Sequence, residues 1–324
     1  MPTNSAEARL AVAAITKFEK RVEDGISDPF KESEWGRATG MFNTKSHGTS
    51  IRWQAVTARQ PTSGFSRETR TDFVPTNRLI TASLSNAGYS AAGQVHQTDL
   101  WEAMGDQQRI DLLKHEIEWT PEALWRALIQ DWYLGGTTYT RSSNPITGIQ
   151  GALVSSGTYA GVSYTDESTW FGGGSNILTG GVHASFSVDP IPSLTASILQ
   201  AEQGTDAGDS VTFPDQVIMT YTNWATLHNA LQAQGRGEIG GTSYNAGAKE
   251  LLFMGVPIIR SRFQTASQYY VLNSKFMDWR TPAPKMLNTF KREEPSPWSI
   301  IMLMVFYGLF RVTLPRSMVR VTVV

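Results

Sequence analysis

Cysteine is absent from the 324 residues. That absence alone excludes disulfides, thiolate catalysis, iron–sulfur clusters and Cys-type zinc sites. Charge imbalance is missing too. Lys plus Arg number 28 against 29 for Asp plus Glu, a formal net charge of −1. The chain is therefore no polybasic nucleic-acid coat, and neither end carries an Arg-rich arm. No hydrophobic run approaches the roughly 20 residues that a membrane-spanning helix needs. The most apolar stretch, Ile300 to Phe310, reads as a buried strand or core segment. Met1-Pro2-Thr3-Asn4-Ser5 lacks the basic opening and apolar core of a signal peptide. Charged residues make up only 18% and hydrophobic ones 40%, the balance of a folding chain. The expectation is a soluble protein with no membrane contact, made in a cytoplasm and stable without covalent staples.

What is present begins with an amphipathic helix. Ala8, Ala11, Ile15, Phe18 and Val22 recur at spacings of three and four, with charged residues on the other faces. Ser5 is its N-cap and Gly25 its stop. A lone helix joined by a polar segment cannot bury its stripe, so it docks on its own body or on a neighbour. From Thr49 to Gln60 the pattern turns strand-like around Ile51, Trp53, Ala55 and Val56. A polar tip, Pro61 to Ser66, then leads to Arg67–Phe73 as the predicted partner strand of a long hairpin. The hairpin carries Arg52, Arg59, Arg67, Arg70 and Arg78 against Glu68 and Asp72, with no lysine. Guanidinium forks suit interface ion pairs, so this hairpin reads as an interface element, a solvated surface hairpin being the alternative.

Arg78 to Ser85 is a predicted strand, followed by helical territory. Asp99 and Glu102 have capping-box spacing, Thr120-Pro121 restarts the helical rhythm, and Leu124, Leu128, Ile129 and Trp132 form one face before Gly135-Gly136. The spacing fits one long, kinked helix or two nearly continuous ones. Between Arg141 and Arg236 every cation is missing, while Asp166, Glu167, Asp189, Glu202, Asp206, Asp209 and Asp215 are present. Helices are predicted over Ser193–Gln203 and Trp224–Gln234. Strands are predicted at Asp215–Thr220, Leu251–Phe253, Val256–Ile259, Tyr269–Asn273, Ile300–Leu314 and Val319–Val323. The mixture indicates an α+β fold.

Tests for chemistry come out blank. His47, His96, His115, His183 and His228 have no metal-pair spacing. The carboxylate pairs Asp166-Glu167, Glu293-Glu294 and Glu116/Glu118 do not share a face. Gly235-Arg236-Gly237-Glu238-Ile239-Gly240 matches GxGxxG in letters only, because it follows a helix instead of opening one. No catalytic residue, cofactor site or metal site is expected.

The second half nevertheless carries an ordered set of pieces. Asn144-Pro145-Ile146-Thr147-Gly148-Ile149 follows the long helix. Asp215-Gln216-Val217-Ile218-Met219 precedes Asn223-Trp224-Ala225-Thr226-Leu227. Gly235-Arg236, Leu252-Phe253-Met254-Gly255-Val256-Pro257-Ile258 and Tyr269-Tyr270-Val271-Leu272-Asn273 come after. In this order the chain resembles the major capsid proteins of tailed bacteriophages, whose fold is shared with encapsulins and the herpesvirus capsid floor. The motifs cover Arg78 to the C-terminus, and the earlier part matches by architecture.

The resemblance implies an N-terminal arm (1–48), an extended hairpin loop (49–77), and a peripheral domain with a spine helix (78–140, returning at 275–314). It also implies an axial domain (141–274) and a C-terminal strand (315–324). It implies a virion shell protein that assembles into hexamers and pentamers around a double-stranded DNA genome, made in a bacterial host. Its partners would be itself, a portal protein, separate scaffolding and decoration proteins, and packaged DNA held weakly and without sequence preference. Ala11, Ile15, Phe18, Val22, Trp53, Arg59, Arg67 and Arg70 are the expected inter-subunit contacts. No large N-terminal scaffolding segment is seen, and no carboxylate for a Lys–Asn crosslink can be identified, so crosslinking is not expected. An encapsulin-type compartment is the alternative, and a carbohydrate-active enzyme or binding protein, suggested by ten Trp and many Gly, is a remote one.

Overall fold

The structure is a computed structural model that describes residues 42–43, 48–56, 79–102, 106–134, 146–205, 213–233, 251–264, 267–282, 287–294 and 299–323. The described chain enters through β1 (Phe42–Asn43) and β2 (Ser50–Val56). Strands β3 (Leu79–Ser85) and β4 (Ala87–His96) follow almost without a break. Helices α1 (Gln97–Glu102), α2 (Asp106–Leu134) and α3 (Ile149–Ala152) come next. Three two-residue strands, β5 (Thr158–Tyr159), β6 (Val162–Ser163) and β7 (Ile177–Leu178), precede α4 (Pro190–Thr205). Then run β8 (Gln216–Thr220), α5 (Tyr221–Ala233), β9 (Leu251–Phe253), β10 (Val256–Ser261) and β11 (Gln268–Leu272). The last strands are β12 (Met277–Arg280), β13 (Leu287–Glu294), β14 (Ser299–Val312) and β15 (Val319–Thr322).

β14 is the axis of a five-stranded sheet. β4 pairs along one side of it, β13 and then β12 along the other, and β1 adds in parallel to β12. Side chains alternate across a strand, so Met302, Met304, Phe306 and Phe310 all point to one face. There they meet Leu124, Leu128 and Trp132 of α2. Residues 146–171 complete this core through Ile146, Ile149, Trp170 and Phe171.

The second sheet has six strands in the order β7-β15-β11-β8-β10-β9. Its central strands are buried on both faces, and the alternation assigns each face to a different core. Ile218, Tyr270 and Leu272 join the core around α2. Val217, Met219, Tyr269, Val271, Val319 and Val321 join a second core under α4 and α5, with Leu194, Ile198, Leu227 and Leu231. The sheet is thus the shared wall of the two cores. Each fully buried Leu, Ile or Val contributes about 1.5–3 kcal/mol.

The structure amends several expectations. β4 stands where helical territory was expected after Ser85. Asp99 lies inside α1 and does not open the long helix. Of the two arrangements that the spacing around Pro121 fits, the structure has the single long helix, α2. Proline forfeits one backbone bond there, while the buried residues Leu124, Leu128 and Trp132 hold the helix on its sheet. The partner of β2 is β3, from Ser50 opposite Ser85 to Val56 opposite Leu79, and not Arg67–Phe73. β12 and β13 were not anticipated. Helices α4 and α5 start earlier than their predicted positions, at Pro190 and Tyr221.

Candidate assembly surfaces

The hairpin base is the one predicted contact region within the described residues. Trp53 on β2 is half-buried and packs against the α2 core of its own chain. The guanidinium of Arg311 on β14 lies 5.4 Å from its ring centre, a cation–π contact. Arg311 is in turn clamped by Asp278 on β12: Nε donates to Oδ1 at 2.7 Å and Nη2 to Oδ2 at 2.5 Å. Arg280 Nε donates to the same Oδ2 at 2.7 Å. A two-pronged guanidinium–carboxylate pair is geometrically strict, so it fixes the platform on which the hairpin base rests. The buried indole N–H of Trp53 has no acceptor among the described residues. Ala11, Ile15, Phe18, Val22, Arg59, Arg67 and Arg70 lie outside the described residues, as does the glycine-rich 235–240 motif.

The turn after the long helix explains its Pro-Ile-Thr-Gly sequence. Gly148 sits so close to the end of α2 that a Cβ there would lie 2.2 Å from the Trp132 carbonyl oxygen and 2.4 Å from that of Asp131. Its φ of −81° is ordinary, so glycine is required by close approach and not by torsion. Beside it, the buried Tyr89 hydroxyl on β4 donates to Asp131 Oδ2 at 2.6 Å and accepts the Ile146 N–H at 2.9 Å. One hydroxyl thus links sheet, helix and turn. Farther along, Tyr159 accepts from the Val312 N–H at 2.8 Å, and burial pushes its hydroxyl above the usual phenol range.

Asp215, which heads the Asp-Gln-Val-Ile-Met motif, has a structural task. Its Oδ1 accepts the Ser274 N–H at 3.0 Å, and the Ser274 hydroxyl donates to Oδ2. Burial raises this carboxyl, and the two Ser274 bonds oppose that rise. The motif therefore pins the start of β8 to the turn that follows β11.

One pair has the look of a nucleophile and its base. His183 Nδ1 lies 2.8 Å from Ser193 Oγ, beneath the start of α4. The hydrogen-bond chain decides its meaning. Ser197 donates to the Leu194 carbonyl, and Tyr269 donates to Ser197 at 3.2 Å. Ser193 must then donate to the Tyr269 oxygen at 2.9 Å, which leaves it accepting from His183 Nδ1–H. The histidine is a donor to this serine and not its base, and Ser193 is fully buried. The cluster is a satisfied polar seam between α4 and β11. Burial lowers the His183 pKa and pushes Tyr269 up to about 12. Among the described residues no group of three or more His, Asp or Glu is placed to hold a metal ion.

None of the described carboxylates of the acidic region is fully buried. Asp166 and Asp189 are exposed, while Glu167 and Glu202 are half-buried. Asp189 caps α4 by accepting the Ile191 N–H at 3.3 Å. Val182 and Val188 stand exposed near it in sequence, at 47% and 85%. Arg260 on β10 lies 4.7 Å from the Trp224 ring centre. Val182 and Val188 are the outward apolar features here, while Arg260 and Trp224 are half-buried, Trp224 against the second core.

The fold is that of phage capsid proteins. The capsid subunit of cyanophage A-1(L) aligns with a TM-score of 0.62 at 14% identity, covering 86% of this chain and 89% of that one. The capsid of Myoviridae phage XM1 gives 0.55 at 14% identity, over 88% and 89%. The holo-SrpI encapsulin complex from Synechococcus elongatus PCC 7942 gives 0.53 at 11%, over 87% and 84%. In sequence, no family model and no curated protein matches the chain.

Proposed function

We propose that this chain is the major capsid protein of a tailed bacteriophage, a shell subunit that assembles with itself into hexamers and pentamers. The observation that carries the reading is the structural alignment with phage capsids along 86–88% of the chain. In this reading the N-terminal helix and the Arg-rich hairpin reach neighbouring subunits. A strand pair made of residues 57–78, between β2 and β3, would reach about 35 Å at about 3.3 Å per residue, enough to cross onto an adjacent subunit. The acidic region gathers near a symmetry axis. Portal, scaffolding and decoration proteins complete the particle. A chain of net charge −1 leaves DNA to be driven in by a motor, because condensation by counterion release needs several Lys or Arg contacts with phosphate.

The encapsulin alignment supports a second reading, a protein nanocompartment, which differs in what the particle encloses. Expression of the chain alone, followed by size-exclusion chromatography with light scattering, tests self-assembly. Megadalton particles support the reading, and a folded species fixed at 35.7 kDa opposes it. Nuclease-protected duplex DNA in particles from the natural source favours the phage over the compartment.

A further inference from the structure

The five-stranded sheet has a second face, turned away from α2, and its two ends differ. At the β12 end it carries the ion cluster of Asp278, Arg280 and Arg311, with Trp53 stacked above. At the other end it carries Ile301, Leu303, Val305 and Tyr307, consecutive on this face of β14. The register sets Phe290 of β13 beside Leu303, and Ser90, Ala92 and Gly88 of β4 beside Val305, Leu303 and Tyr307, while Gln94 and Arg292 flank Ile301 and Asn288 flanks Val305, a polar border to the band. Phe290 is 57% exposed and Tyr307 is 37% exposed. Ile301, Leu303 and Val305 between them are half-buried, and the small side chains of β4 leave the stripe open on that side. A contiguous apolar band of this kind marks an interaction surface.

We propose that residues 5–25 of this chain cover that band. Three observations select this occupant. The chain before β1 enters the structure on this very sheet, where Phe42 pairs with Trp279. The stripe from Ala8 to Val22, at a helical rise, is about 21 Å long, and the band from Ile301 to Tyr307, at a strand rise, is about 20 Å long. Residues 26–41 between them, fully extended, span about 50 Å, so the band is within reach from its own chain and from an adjacent copy. The hairpin beyond Val56 fits less well, since its Arg-rich composition offers little to an apolar band.

The proposal does not depend on shell formation, and its test is read on a denaturing gel whether or not particles form. A chain without native cysteine is the right background. The double variant Phe18→Cys/Leu303→Cys is expected to form a disulfide rapidly under mild oxidant. It gives a shifted monomer if the segment lies on its own sheet, and a ladder of covalent oligomers if it lies on a neighbour's. Either product places the segment on the band. The control pair Phe18→Cys/Leu199→Cys, with Leu199 exposed on α4, should crosslink at least tenfold more slowly. Deleting residues 1–25 should also raise fluorescence of an apolar dye, and Leu303→Ser in that deletion should lower it again. Equal crosslinking of both pairs, or no crosslink at Leu303 with both thiols reactive and no dye response to the deletion, would overturn the proposal.

Discussion

Replacing Tyr89 by Phe removes one oxygen atom from the place where three elements meet. The ring stays, so the packing against Phe306, 6.2 Å away between centroids, is kept. What goes is the donor to Asp131 Oδ2 and the acceptor for the Ile146 N–H, both in a buried site. Leaving a buried polar group without its bond costs about 1–3 kcal/mol, and two such losses that share one atom are not fully additive, so about 2–4 kcal/mol is expected. Urea unfolding of the unassembled subunit, followed by tryptophan fluorescence, measures it. Asp131→Asn, which keeps an oxygen able to accept from Tyr89, should cost less. In the double variant most of the Tyr89 effect should already be spent. A change below about 0.5 kcal/mol for Tyr89→Phe, the level of an ordinary surface substitution, would refute the view that this hydroxyl joins β4, α2 and the turn.

Gly148→Ala should cost about 3 kcal/mol, the upper range for overpacking, because its Cβ would meet the carbonyls of Trp132 and Asp131. A thermal midpoint within a degree of the parent would argue against it. His183 is held below the ordinary histidine range by burial, so the unfolded chain takes up the proton first as pH drops. Stability is therefore full above about 6.5 and falls as pH drops below that value. His183→Gln should flatten this dependence in urea midpoints taken from pH 7.5 to 5.5, and an unchanged slope would clear His183 of the effect. Deleting the polar segment Pro61–Ser66 should leave the subunit's circular dichroism intact while abolishing closed particles in electron micrographs. Normal particles would show that the hairpin makes no needed contact.

Much of the second half was legible because its signals are local. Trp224, Leu227 and Leu231 share a helix face and pack together as that periodicity implies. Val319 and Val321 alternate into the core. β4 was hidden because Ala-Gly-Tyr-Ser-Ala-Ala-Gly-Gln-Val-His has low strand propensity, and its pairing with β14 more than 200 positions away supplies what propensity lacks. β13 was hidden by Lys291-Arg292-Glu293-Glu294, charges suited to the sheet edge it occupies. The Tyr89–Asp131–Ile146 junction and the Ser193–Tyr269–Ser197 seam join residues far apart in sequence, and no spacing rule finds such contacts. Phe290 and Leu303 carry hydrophobicity in plain view, but only the register shows that they adjoin.

The central claim is that this chain builds a closed shell by repeating one subunit. Cryo-electron microscopy of the purified protein, expressed alone and reconstructed without imposed symmetry, tests it most directly. The account predicts closed particles with rings of five and six subunits, each ring fitted by the two-core fold. A homogeneous population of monomers or small oligomers, with the subunit folded by circular dichroism, would contradict it.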